Sequence, residues 1–296
     1  MRIIHISDLH FWHITLNPIR LAGKRIIGMG NLILNRARKY RMENMPALLE
    51  RALELRPDHV LITGDLTSTS LEEEFVDVRR ALSPLNGNHL SITVIPGNHD
   101  RYTWRAARLR LFEKYFGEYV SSDTYPWLKY IGDITAILGL DASRPTIISA
   151  RGTISLSQIK SARRLLEDSN MGFTRLIVAC HYPVVIPDGV KPDPGHGLQG
   201  KEHLHNFLSG LGPHLYCHGH IHAGWTFIPA ILPQVLCINP GAALKRRKRS
   251  GVNASFLEIL LNGDEVEVWR HALRRGAWET ERLAKQPRFF AKEVGE

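Results

Sequence analysis

Five short apolar runs in this chain each end on residues that bind metals. Residues 3–7 lead into Asp8-Leu9-His10, and residues 60–63 into Gly64-Asp65. Residues 92–95 lead into Gly97-Asn98-His99-Asp100, 176–179 into His181, and 215–216 into Gly219-His220-Ile221-His222. Continuous apolar runs of this length match strands buried on both faces, with helices covering the sheet. In open α/β sheets, ligands gather beyond the carboxyl ends of the strands. Asp8, Asp65, Asn98 and His181 all stand just past such ends, and this shared placement constrains the fold more than any single residue.

Further strands are expected at 134–140, 234–238, 256–261 and 266–270, and helices at 45–56, 71–82, 104–115, 156–168 and 201–208. Ser155 or Ser157 is placed to cap the fourth of these helices. Asn262-Gly263-Asp264 reads as a hairpin turn, so the sheets should be mixed, parallel early and antiparallel late. Strands alternating with helices favour one α/β unit, taken as a domain over residues 1–270. The charged tail over 271–296 has no strong apolar period and is expected as a terminal helix or a partly disordered stretch. The Pro- and Gly-rich loop 186–200 falls between two donor-bearing strands and should border the site.

The 296 residues are 44% hydrophobic, enough for a sizeable core. A net charge of +9 and a pI near 9.6 suit an anionic partner, without choosing among a nucleotide, a nucleic acid and an acidic membrane surface. Cys180, Cys217 and Cys237 have no C-x-x-C spacing. They argue against a disulfide framework and for small buried thiols in a reducing, cytoplasmic compartment. No signal-peptide pattern precedes the first strand, and no apolar run approaches the roughly 20 residues of a spanning helix.

Asp8, His10, Asp65, Asn98, His181, His220 and His222 offer seven oxygen and nitrogen donors, what two adjacent metals need. Metal pairs about 3.5–4 Å apart are a recurring device for phosphate-ester hydrolysis. Mixed carboxylate and imidazole donors suit Mn, Fe and Zn, whereas an all-oxygen site would suit Mg or Ca. Glycine before Asp65, Asn98 and His220 permits the tight backbone that turns each donor inward. Asp8 and His10 are read as lying on one side of an extended segment, with Leu9 facing away.

The ordered set DLH, GD, GNHD, a lone strand-end His and GHIH resembles the calcineurin-like metallophosphoesterase superfamily across roughly residues 1–270. Each block alone is weak, except the fairly specific GNHD; together they are strong. The resemblance implies a four-layer αββα sandwich of two mixed β-sheets with two metal ions, Mn or Fe or else Zn, at one end. Asp8, His10, Asp65 and His222 would hold the first metal, with Asp65 bridging; Asn98, His181 and His220 would complete the second. His99 would reach the phosphate, steadying the transition state or protonating the leaving oxygen, and Asp100 would orient His99. The implied chemistry is in-line attack by a metal-bound hydroxide on a phosphodiester or pyrophosphate. A scaffold that had lost its metals would lack donors, and here none is missing. His218 falls outside the G-H-x-H pattern and is read as a pocket or supporting residue. His5, His13, His196, His203 and His205 carry no motif and are read as surface residues, with His13 and His196 the two that would line a cleft.

From Leu9 to Met42 there is no Asp or Glu, while Arg20, Lys24, Arg25, Arg36, Arg38, Lys39 and Arg41 supply seven cations. On a helix, Ile26, Ile27, Gly30, Ile33, Leu34 and Ala37 share one stripe. Cations flanking an apolar centre suit a helix lying in an anionic membrane interface, and equally a core-packing helix with a basic rim. The glycines at 28 and 30 weaken the helix. Lys245-Arg246-Arg247-Lys248-Arg249 forms a second basic run, read as a loop beside the metals that grips a diphosphate, a nucleic-acid backbone or a lipid headgroup. Several substrate classes stay open. The insert, together with a resemblance to UDP-2,3-diacylglucosamine hydrolases, favours a nucleotide-linked lipid at the inner membrane face. A cyclic-nucleotide phosphodiesterase, a DNA nuclease and a non-catalytic membrane-recruited module are the alternatives.

Overall fold

A computed structural model describes residues 1–21, 23–87, 90–169, 172–191 and 194–291. Ala22 of the basic insert, Pro192 of the loop 186–200 and the end of the tail lie outside the described residues. In chain order the strands are β1 Arg2–Ile6, β2 His59–Thr63, β3 Ser91–Ile95, β4 Trp127–Ile131, β5 Thr135–Gly139, β6 Gly152–Thr153 and β7 Arg175–Ala179. They continue as β8 Leu198–Gln199, β9 His214–Cys217, β10 Trp225–Phe227, β11 Val235–Asn239, β12 Val252–Asn262, β13 Glu265–Arg274 and β14 Ala277–Gln286. One six-stranded sheet runs β14-β13-β12-β1-β2-β3, the other β10-β11-β9-β7-β5-β4, and β6 pairs with β8. In the first sheet β1, β2 and β3 are parallel and β12, β13 and β14 antiparallel. In the second, β5, β7, β9 and β11 are parallel.

Successive side chains of each strand serve different cores, which is why the runs read as continuously apolar. Ile3, Leu61, Ile137, Ile177 and Leu215 meet between the sheets. Ile4, Val60 and Ile62 point the other way, onto Leu48, Leu49, Phe75, Val78 and Phe112 of the covering helices. Ala136, Leu138, Val178 and Tyr216 pack outward on Ile159, Ala162, Leu204 and Phe207. Three apolar layers between four structural layers make the expected αββα sandwich. Ser155 caps the helix Leu156–Glu167, its Oγ accepting from the Gln158 N–H at 3.1 Å.

Three local expectations need correction. The helix expected over 104–115 is two helices, Trp104–Arg108 and Leu111–Phe116, because Arg110 takes a left-handed conformation at φ 50°. Strands β4, β6, β8 and β10 were not anticipated. Residues 277–286 form neither a helix nor a disordered tail but the edge strand β14. Its apolar period is faint because only Trp278, Leu283 and Ala284 pack against a core. Charges align across it instead: Arg270 pairs with Glu281, Arg274 with Glu279 at 3.2 Å and Lys285 with Glu267 at 2.8 Å. Charged edges also discourage pairing with other chains.

The basic insert is helical despite its glycines. The helix Lys24–Asn31 continues through a π-helical turn, Leu32–Arg36, into Ala37–Lys39. A Cβ on Gly28 would stand 2.7 Å from the Tyr102 hydroxyl, so glycine permits this close approach. Met29 and Leu32 are buried with Leu71, whereas Ile26, Ile27, Ile33 and Leu34 are 61%, 61%, 45% and 71% exposed. The stripe of Ile26, Ile27, Ile33 and Leu34 is not a core-packing face. No helix among the described residues is long and apolar enough to cross a membrane.

Candidate metal centre

The donors meet where the parallel strands of both sheets end. Asp8 and His10 follow β1, Asp65 follows β2, Asn98 follows β3, His181 follows β7, and His220 and His222 follow β9. The segment 8–10 is not extended: Asp8, His10, Asp65 and His220 all have positive φ, between 50° and 69°. Left-handed backbone at non-glycine residues is strained and tends to collect at functional sites. Hydrogen bonds hold it here, with Asp8 N–H on Gly64 O at 3.0 Å and His10 N–H on Asp65 O at 2.9 Å. Leu9 is fully buried in the core beneath.

Two groups of donors come together among the described residues: Asp8, His10, Asp65 and His222, and then Asp65, His181 and His220. His10 Nε2 lies 3.6 Å from Asp65 Oδ2 and 3.8 Å from Asp8 Oδ1. His222 Nε2 is 3.5 Å from Asp8 Oδ1 and 3.0 Å from His10 Nε2. His181 Nε2 is 3.4 Å from Asp65 Oδ2, and Asn98 Oδ1 is 3.0 Å from His220 Nδ1. Ligands about 2.0–2.2 Å from a shared ion stand roughly 3–4 Å apart, so the spacing fits. Asp8 Oδ1 and His181 Nε2 are buried with no hydrogen-bond partner, a costly state that a metal would relieve.

The supporting hydrogen bonds point the imidazole lone pairs inward. His181 Nδ1 donates to Thr63 O at 2.7 Å, leaving Nε2 free. His220 Nε2 donates to His196 O at 2.9 Å, leaving Nδ1 beside Asn98. The Tyr40 hydroxyl meets His222 Nδ1 at 3.1 Å. Burial pushes His10 and His220 well below the ordinary histidine pKa, which favours the neutral, ligating form. Burial would raise the Asp65 carboxyl, but His181, His99 and His10 outweigh it and hold it well below the usual range. Burial opposes protonation of His181, yet Asp65 raises its pKa to about 9, so a metal bound at Nε2 would have to displace a proton.

His99 and Asp100 are arranged differently from the expected dyad. His99 Nδ1 donates to Ser68 O at 2.5 Å, so the Ser68 carbonyl orients the ring. Asp100 instead accepts from Gly97 N–H at 2.8 Å, Thr67 N–H at 2.9 Å and Thr67 Oγ1 at 3.1 Å. It clamps the two loops together; burial, then Asp65, pushes its pKa up to about 7. Arg36 faces both ring nitrogens of His99, Nη1 at 3.2 Å from Nδ1 and Nη2 at 2.8 Å from Nε2, and burial, then this guanidinium, holds the His99 pKa well below the ordinary histidine value.

Several neighbours carry no motif in the sequence. Tyr40 and the carbonyls of Thr63, Ser68 and His196 are site-building groups that no spacing rule would have found. The cations of the insert divide. Arg25 is buried on the carbonyls of Arg20, Thr69 and Ser70, and Lys24 Nζ bonds Thr146 and Ser149 above the Tyr102 ring. Arg36 turns to His99. These three face inward, and Arg38 and Lys39 remain exposed. In the second basic run Arg247 donates to His222 O at 3.3 Å and Ser255 Oγ at 3.2 Å. His5 is no surface residue: it is fully buried, 2.9 Å from Thr63 Oγ1. His218 is buried against Tyr216 and Trp225.

Two sets of nitrogen and oxygen donors sharing one aspartate, at the strand ends of an αββα sandwich, define the class of two-metal phosphoester hydrolases. The chain belongs to the calcineurin-like phosphoesterases, whose family model matches residues 1–224. A purple acid phosphatase from yellow lupin, PPD1, shares the fold at TM-score 0.62 and 11% identity, covering 98% of this chain and 54% of that one. YfcE, a phosphoesterase from E. coli, aligns at TM-score 0.42 and 12% identity over 96% and 100% of the two chains. Vps29 from Entamoeba histolytica, complexed with zinc, aligns at TM-score 0.43 and 16% identity over 95% and 98%. No curated protein matches significantly.

Proposed function

We propose that this chain hydrolyses a phosphodiester or pyrophosphate bond in an amphiphilic, nucleotide-linked lipid at an anionic membrane surface. The observation carrying the reading is the two-sidedness of the insert. Outward it exposes Ile26, Ile27, Ile33 and Leu34, and inward it brings Arg36 and Tyr40 to the metal donors. Beside it a groove of about 480 Å³ is lined by Ile19, Trp104 and Ile147 together with Arg20, Lys24 and Arg105, apolar walls with a cationic rim.

Asp8, His10, Asp65 and His222 would hold one ion, and Asp65, Asn98, His181 and His220 the other. The donor set has no thiolate and favours Mn or Fe, with Zn also compatible. When bound, such ions neutralise phosphoryl charge and activate water. The protein residues fix the donors at the strand ends and hold the His99 pKa below its ordinary value. The test is Mn-dependent hydrolysis of bis-p-nitrophenyl phosphate by wild type and Asp65→Ala, with metal content measured alongside. About two metals per chain and activity that vanishes with Asp65 are expected. A wild type that stays metal-free and inactive after reconstitution with Mn or Fe would sink the hydrolase reading and leave a membrane-recruited scaffold.

A further inference from the structure

We propose that Arg36 is a phosphoryl-binding residue, supplied by the insert to grip non-bridging oxygens of the scissile phosphate. This rests on the hydrolase reading above. Among the described residues Arg36 forms no ion pair, although 29 carboxylate side chains are available in the chain. Its Nη2 donates to His99 Nε2 at 2.8 Å, and its Nη1 stands 3.4 Å from His10 Nδ1. The guanidinium is partly buried between one metal donor and the histidine next to Asn98, with the two rings only 4.9 Å apart. A guanidinium held between two imidazoles and in no ion pair lacks a counter-charge, and a phosphoryl group at the metals would supply one. The guanidinium fork matches two phosphoryl oxygens at once.

The backbone delivers this side chain by design of the local sequence. Met29 and Leu32 anchor the inner face of the insert, and the π-helical turn ends at Arg36 itself. Such turns recur at functional sites because the extra residue re-aims the side chains that follow. The same segment places Tyr40 on His222. The insert therefore contributes both a support for the metals and a cation for the substrate. Arg36 thus stands beside His99 as a second hydrogen-bonding side chain facing the metal donors.

The experiment uses inorganic phosphate as the probe. Full-length protein loaded with Mn is titrated calorimetrically as wild type, Arg36→Gln, Arg36→Lys and Lys39→Gln, with metal content and melting temperature recorded for each. Arg36→Gln should keep its metals and melting temperature yet bind phosphate about 10- to 100-fold more weakly. Arg36→Lys should recover only part of the loss, since a point charge replaces a fork. Lys39→Gln, an exposed cation on the same segment, should bind as wild type does. Unchanged affinity in Arg36→Gln, or an equal loss in Lys39→Gln, overturns the role of Arg36 while leaving the hydrolase reading intact. Loss of metal in Arg36→Gln and Arg36→Lys would make Arg36 a prop for His10 and overturns it too. A metal-loaded wild type that binds no phosphate overturns the role of Arg36, while turnover of bis-p-nitrophenyl phosphate decides the hydrolase reading separately.

Discussion

At the scale of single residues, the centre depends on groups that bond to ligands rather than ligate. The Tyr40 hydroxyl fixes His222, and its ring packs edge-on against His10 at 4.8 Å. Tyr40→Phe keeps the packing and deletes the hydrogen bond. We expect metal affinity to fall about 10- to 100-fold, as for other supporting partners of ligating imidazoles. Competition with a chelator measures this, and equal affinity in the two proteins would remove Tyr40 from the site. Gly97 allows a closer approach than any other residue would. A Cβ there would land on Asp65 Oδ1 and on its backbone N. Gly97→Ala should therefore displace Asp65, the donor common to both groups, and release metal while the circular dichroism of the sandwich persists. An alanine variant that retains two metals would show that the loop can give way.

At the scale of elements, one ion cluster ties three strands together. Arg2 on β1 donates to Glu258 Oε1 on β12 at 2.6 Å, and His271 on β13 meets Oε2 at 2.9 Å. Burial would raise the Glu258 carboxyl, but His271 and Arg2 outweigh it and hold it below its ordinary 4.5. A depressed carboxylate stabilises the fold above its ordinary value, and the stability is lost as pH falls through the folded value. Glu258→Gln should cost about 1–2 kcal/mol at pH 7, discounted for the solvent-exposed Arg2 end. The gap from wild type should close as pH drops below about 4.5. Urea denaturation at both pH values checks this, and a pH-independent gap would assign the effect to packing. These three strands also show what the sequence could reveal. The strand ends with their donors were legible because each run is buried on both faces and stops at a chemically distinctive residue. The turn at Asn262-Gly263-Asp264 was legible for the same local reason. Strand β14 was hidden because its pairing is carried by cross-strand charges, which look like a solvated tail until β13 lies beside it. The Ser68 carbonyl that orients His99 carries no side-chain signature at all.

At the scale of the molecule, the proposed function gives the insert the task of setting how the metal-donor face meets a membrane. A charge of +9 suits an anionic surface, but charge alone would give no orientation. In the proposed membrane reading, orientation would come from Ile26, Ile27, Ile33 and Leu34 projecting beside exposed Arg38 and Lys39, on the segment that ends at the metal donors. Each cation near an anionic leaflet contributes about 1 kcal/mol, and each buried side chain of this size about 1.5–3 kcal/mol. Wild type should therefore sediment with vesicles rich in phosphatidylserine, weakly with neutral ones, and less as salt rises. Ile27→Glu with Leu34→Glu should abolish this binding, while bis-p-nitrophenyl phosphate, which needs no membrane, should turn over within about twofold of wild type. The pair of measurements separates two ways of being wrong. If wild type ignores anionic vesicles at low salt, the apolar face has another use and the lipid-linked substrate loses its main support. If the double variant loses turnover of the soluble diester as well, the insert is a structural wall of the site, and its exposed face follows from holding Arg36 and Tyr40 in place.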